Sequence, residues 1–266
     1  MPFLVVLTLG IIQGLTEFLP VSSSGHLVIA QHYLPGFTDP PLPFDIVLHV
    51  GTLVSLVIYF YRDIWNILVS FVKWEGEERR KYRRLGLMVV VGSIPAGFFG
   101  IIFGDLFESL FANVLIVPLM FLFSASILLI GERKVVTEKR KEAVGVKEAL
   151  IIGLMQSIAI VPGISRSGST IATGLFLGLE RKTAARFSFL LSIPAILGAF
   201  LLKILFNAEN LEGIDSSYLV GAVVSALVGL LAIKLTIGAV VVKKLWIFSI
   251  YLFLLGAVFI VLNTIS

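Results

Sequence analysis

The chain has 266 residues, 58% of them hydrophobic and 14% charged, with a mean hydropathy of +1.02. A soluble domain carries about 45–50% apolar and about 25% charged residues, so a water-soluble fold is excluded. The absence of cysteine excludes disulfides, thiolate metal sites and cysteine nucleophiles, and a net charge of +4 fits the basic loops of a membrane protein without implying a nucleic-acid partner.

Crossing a bilayer as a helix takes about 20 apolar residues. In chain order, residues 3–34 are apolar but interrupted by Pro20-Val21-Ser22-Ser23-Ser24-Gly25. Spans are then expected at about 46–61, 85–103 and 114–131. A second interrupted stretch, 148–179, contains Pro162-Gly163-Ile164-Ser165-Arg166-Ser167-Gly168, and further spans are expected at about 186–206, 218–236 and 245–263. Each half of an interrupted stretch is too short to cross untilted, which predicts re-entrant helical hairpins. The expected fold is therefore an all-α integral membrane protein with six transmembrane helices and two re-entrant hairpins, in a single membrane domain over 1–266. No basic run precedes the first apolar stretch, so a cleaved leader is not expected.

The connectors sort by charge. Lys73, Arg79, Arg80, Lys81, Arg83 and Arg84 crowd 62–84, and Arg133, Lys134, Lys139, Arg140, Lys141 and Lys147 crowd 132–147. Lys234, Lys243 and Lys244 mark a third basic connector. Segments 104–113 and 207–217 carry only acids: Asp105, Glu108, Glu209, Glu212 and Asp215. The excess of basic residues on inner loops predicts a cytoplasmic side for the basic connectors and places 1–45 outside. At a shift of 143, Gly10, Gln13, Ser22, Ser24 and Gly25 fall on Gly153, Gln156, Ser165, Ser167 and Gly168, and Phe44 and Leu48 fall on Phe187 and Leu191. Each copy, about 1–131 and about 148–263, is a hairpin plus three spans. An odd number of spans turns the second copy over, giving an inverted-topology repeat with its site near the midplane.

Ionisable side chains inside a bilayer are costly and usually functional. Gln13 and Glu17, four apart, share one helix face. Pro20 interrupts that helix, and the serine run starts a new one whose first-turn amides have no internal partners. The second break repeats this with Arg166 in the turn. Two helix N-termini, several hydroxyls and a guanidinium fork make a phosphate site, with Ser22, Ser24, Gly25, Ser165, Ser167 and Gly168 as candidate binding residues. Each serine reads equally as a cap or a ligand. Beside a phosphate, Glu17 implies either a base or a carboxylate acting through a divalent cation, and His26 an acid, base or nucleophile. Gln13 would add a neutral oxygen to Mg²⁺ or Ca²⁺. His49, one turn from Asp45, reads as a neighbour of the site or an interfacial residue.

The run Gly14 to Leu27 together with Pro162 to Gly168 resembles the undecaprenyl-pyrophosphate phosphatase family, also called bacitracin-resistance proteins. Where the first motif of that family carries Glu or Gln, three residues, then Glu, this chain has Gln13 and Glu17, and so one carboxylate. The resemblance implies a divalent-metal-dependent phosphatase that acts on a C55 polyprenyl diphosphate at the outer face of the plasma membrane, recycling a cell-wall carrier lipid. By position, it implies Glu17 as metal or acid–base carboxylate, His26 as acid–base or nucleophilic group, Ser23 on the phosphate and Arg166 on the diphosphate. Ser23, His26 and water all remain open as nucleophile. The alternative is a polyprenyl-phosphate flippase using the same midplane site. Expected partners are the lipid substrate and membrane lipids. Gly221, Ala222, Ser225, Ala226 and Gly229 form a small-residue stripe that permits close packing, within the chain or in a homodimer.

Overall fold

The computed structural model describes residues 2–33, 42–73, 75–111, 113–133, 140–206 and 216–265. Lys134, Lys139, Glu209, Glu212 and Asp215, used above for orientation, lie outside them. In chain order the helices are α1 (Phe3–Phe18), α2 (Ser23–Tyr33), α3 (Leu42–Tyr59), α4 (Tyr61–Val72), α5 (Glu77–Ile102) and α6 (Gly104–Phe111). They continue as α7 (Ile116–Arg133), α8 (Val146–Ile158), α9 (Arg166–Phe176), α10 (Arg181–Phe206), α11 (Ser216–Val241) and α12 (Leu245–Ile265). The described residues contain no strand beyond one bridge, in which Lys141 N–H donates to Gly178 O and Glu180 N–H to Lys141 O.

Helices α5, α7, α10, α11 and α12 are long and apolar enough to cross a membrane, and α3 with α4 makes a sixth candidate bent by 73°. The bend has a cause in the sequence. In α4, Tyr61, Trp65, Leu68 and Val72 lie along one exposed stripe, while Asp63 pairs with Arg186 of α10. A helix with one apolar exposed stripe and a paired charge beside it is amphipathic, unlike the all-round apolar helices. The connector expected over 62–84 is therefore two helical pieces, and the basic run Arg79–Arg84 forms the first turns of α5.

The surface is as apolar as the interior. Leu219, Val223, Leu227, Leu231 and Leu235 recur every four residues along exposed α11, a face suited to lipid tails. With no water to drive helices together there, close packing of small residues takes over. The stripe on α11 is used inside the chain. A side chain on Gly51 would meet Ala222 O at 2.3 Å, and one on Gly229 would meet Ser55 Oγ at 2.5 Å. Ser55 Oγ donates to Ala226 O at 2.7 Å, and Ser225 Oγ to Leu48 O at 3.0 Å. Packed this way, α1 and α3 lie on α11, and α8 lies on α5.

Candidate active site at two helix breaks

The first break lies between α1 and α2. Leu19 leaves α1 in extended geometry at ψ 142°, as the residue before a proline must. Ser22 then takes φ +70°, a left-handed conformation that L residues rarely adopt. Its hydroxyl accepts Gly25 N–H at 3.3 Å and touches Ser24 Oγ at 3.3 Å. The second break, between α8 and α9, uses the same device 143 residues later. Ser165 Oγ accepts Gly168 N–H at 3.1 Å and touches Ser167 Oγ at 3.4 Å. Ser165 N–H donates in turn to Ser124 Oγ of α7 at 3.0 Å.

The two turns meet. Ser167 Oγ donates to Leu19 O at 3.2 Å. A Cβ on Gly168 would sit 3.1 Å from Pro20 Cβ, and one on Gly25 would sit 2.4 Å from Phe121 and 3.0 Å from the Gly163 Cα. Gly25 and Gly168 are thus spacers that let the turns approach. Ser22 and Ser165 are caps, and Ser167 is a strut. Of the six residues proposed above to bind phosphate, these five have structural duties, and Ser24 is half-buried with its hydroxyl on Ser22.

The charges converge beside this junction. Glu17, buried at the end of α1, accepts at Oε1 from Arg166 NH2 at 2.5 Å. Its Oε2 accepts from Ser23 Oγ at 2.6 Å and Gln13 Nε2 at 3.0 Å. A buried carboxylate is tolerable only with such complete pairing. Two buried polar atoms here keep capacity in reserve: Arg166 NH1 and Gln13 Oε1 have no partner among the described residues. His49 joins the group from α3. Its Nδ1 pairs with Asp45 O at 2.8 Å, and Nε2 of this partly exposed side chain lies 4.0 Å from Glu17 Oε2. The sequence reading left His49 at the margin, and only the fold of α3 against α1 brings it in.

His26 does not join the cluster. Its Nδ1 pairs with Ser22 O and its Nε2 with Tyr251 Oη of α12, both at 2.7 Å. Tyr251 has no signal in the sequence, because an aromatic residue in an apolar span looks like a lipid-facing anchor. Among the described residues no three His, Asp or Glu side chains converge. The orphaned Gln13 Oε1 beside Glu17 does fit a divalent cation, provided that ligand oxygens and water complete the shell, as Mg²⁺ commonly requires.

The fold and this cluster define a class: a multi-pass helical membrane protein with a part-buried Glu–Arg–Ser constellation where two helix breaks meet. Within that class, the chain belongs to the family of bacitracin resistance protein BacA, whose model matches residues 6–258. It is 40% identical to an undecaprenyl-diphosphatase of Syntrophotalea carbinolica, covering 99% of this chain and 100% of that protein. It is 42% identical to one of Desulfatibacillum aliphaticivorans, covering 99% of each, and 40% identical to one of the archaeon Methanosphaera stadtmanae, covering 97% and 96%.

Proposed function

We propose that this chain is an undecaprenyl-diphosphate phosphatase, cleaving the phosphoanhydride of a polyprenyl diphosphate to lipid monophosphate and inorganic phosphate. The observation that carries the reading is the Ser23 hydroxyl held on the Glu17 carboxylate at 2.6 Å, beside the guanidinium of Arg166. Arg166, with NH1 unpartnered, binds the terminal phosphate oxygens. Ser23 Oγ attacks the terminal phosphorus as its proton passes to Glu17, and the bridging P–O bond breaks. Glu17 then returns the proton to the departing lipid monophosphate. Water cleaves the Ser23 phosphoester, restoring the hydroxyl and releasing phosphate. Most of the work in such a transfer is positioning and charge neutralisation. A divalent cation held by Gln13 and Glu17 would supply further neutralisation of the diphosphate.

Contacts between the halves support an inverted repeat with the site at its junction. α1 packs on α11 while its counterpart α8 packs on α5: a side chain on Gly10 would meet Gly221 O at 2.9 Å, and one on Gly153 would meet Gly92 O at 2.1 Å. The same symmetry supports α1–α2 and α8–α9 as re-entrant hairpins from opposite faces. With the loop charges, and with His49 half-exposed near the start of α3, this favours a site opening to the outer face of the plasma membrane. A flippase would use the same cradle but gives no role to a hydroxyl held on a carboxylate.

Purified protein in detergent is expected to release phosphate from undecaprenyl diphosphate. Ser23→Ala should lower kcat at least about a hundredfold, near 2.7 kcal/mol, and acid quenching of the wild type should trap phosphoserine at residue 23. Ser23→Ala turning over at the wild-type rate would move the nucleophile to water.

A further inference from the structure

We propose that His26 and Tyr251 form a brace that holds the Ser22 turn and so aims Ser23, which makes both of them positioning residues, with His26 neither proton donor nor nucleophile. The inference rests on the reading that Ser23 is the reacting hydroxyl. It starts from the backbone. Ser22 stands at φ +70°, a strained conformation for an L residue that persists only where neighbours over-determine it. The next residue is Ser23, whose Oγ must stay within hydrogen-bond reach of Glu17.

His26 is the over-determining neighbour. Ser22 O accepts twice from it, from the backbone N–H at 3.2 Å and from the ring at Nδ1, 2.7 Å away. A carbonyl oxygen only accepts, so Nδ1 carries a proton, and in the neutral imidazole Nε2 then keeps a lone pair. Tyr251 closes the arrangement: its Oη is 2.7 Å from Nε2 and must donate. Two rings fix the imidazole plane, Tyr251 stacked at 5.7 Å and Phe121 tilted at 5.4 Å. Tyr251 is itself held in register, because α12 is pinned to α7 by Ser249 Oγ donating to Ala125 O at 2.6 Å. Both imidazole nitrogens are thus committed to the protein, while Glu17 takes its hydrogen bonds from Gln13, Ser23 and Arg166. A tyrosine serving only as an anchor at the lipid surface would have no reason to direct its hydroxyl inward to a histidine.

Asparagine offers a side-chain N–H close to the position of Nδ1, and so tests the brace directly. His26→Asn is expected to keep kcat within about tenfold of wild type and to leave the pH profile unchanged, whereas His26→Ala should fall by about a hundredfold or more with KM little altered. Tyr251→Phe should lower kcat three- to tenfold at constant KM, and that loss should vanish in the His26→Asn background, since the partner is already gone. A second readout needs no catalysis. The chain has three histidines, so ¹⁵N-imidazole spectra are assignable by single substitution. His26 should show the Nδ1–H tautomer across the active pH range, with an Nε2 resonance that moves in Tyr251→Phe. A His26→Asn protein as inactive as His26→Ala while retaining wild-type KM would overturn the proposal, as would an Nε2-protonated His26. A wild-type protein that lacks phosphatase activity but shows this tautomer would refute the proposed function and leave the brace intact.

Discussion

Arg166 donates to Glu17 through one terminal nitrogen and keeps the other buried and unpartnered, a geometry that depends on the planar fork. A lysine there would keep the charge but lose the second donor. Arg166→Lys should therefore cut kcat/KM by more than about tenfold, equivalent to 1.4 kcal/mol; near-wild-type turnover would remove Arg166 from the site. In the proposed site Glu17 would face ligand phosphates of its own sign, which a positive charge between them would relieve. EDTA is expected to abolish activity, and Glu17→Gln to shift the metal titration curve as well as lower turnover. Loss of turnover with an unchanged metal titration would make Glu17 purely a base. At this scale the sequence exposed what is chemically out of place in a bilayer: Glu17, Arg166 and the serine runs. It placed His49 only as a neighbour of the site or an interfacial residue and gave Tyr251 no role, because their parts depend on which helix lies opposite, and it could not separate caps from ligands.

Among the helices, glycines do two different jobs. Gly153 lies so close to Gly92 that a Cβ would stand 2.1 Å from its carbonyl oxygen, whereas a Cβ on Gly97, one helical turn and a half further along α5, would meet nothing within 4 Å. Gly153→Ala must push α8 off α5 and should cost about 1–3 kcal/mol, as overpacking does. Gly97→Ala removes helix-weakening flexibility and should be neutral or stabilising by up to about 1 kcal/mol. Thermal unfolding in detergent would compare the two; equal losses would contradict the packing. Span existence was legible from hydropathy because α5, α7, α10, α11 and α12 each contain a continuous apolar window long enough to cross a bilayer. The turn at Phe60 was not, since α4 carries enough apolar residues to look like the tail of a connector. Only the side on which Asp63 meets Arg186 reveals it as a separate piece.

For the molecule as a whole, the shift of 143 seen in the sequence reappears as paired hydrogen bonds: Ser22 caps Gly25 as Ser165 caps Gly168. At the same shift the two segments also differ, since Glu17 corresponds to Ile160 and Arg166 to Ser23. Neither half alone contains both members of the ion pair. The proposed orientation is tested by cysteine labelling, which the cysteine-free chain makes clean. A cysteine replacing Arg80 should be protected from an impermeant reagent in intact cells, and one replacing Asp105 should react. The reverse pattern would invert the topology.

The Glu17–Arg166 pair joins the two helix breaks and divides the guanidinium: NH2 is taken by the carboxylate, while NH1 has no partner among the described residues. In the proposed mechanism a phosphate would enter at NH1 without unseating Glu17, so one planar fork would steer anion and base together. The pair would then work as a pin between the halves of the chain, fixing base and anion at a set distance from each other.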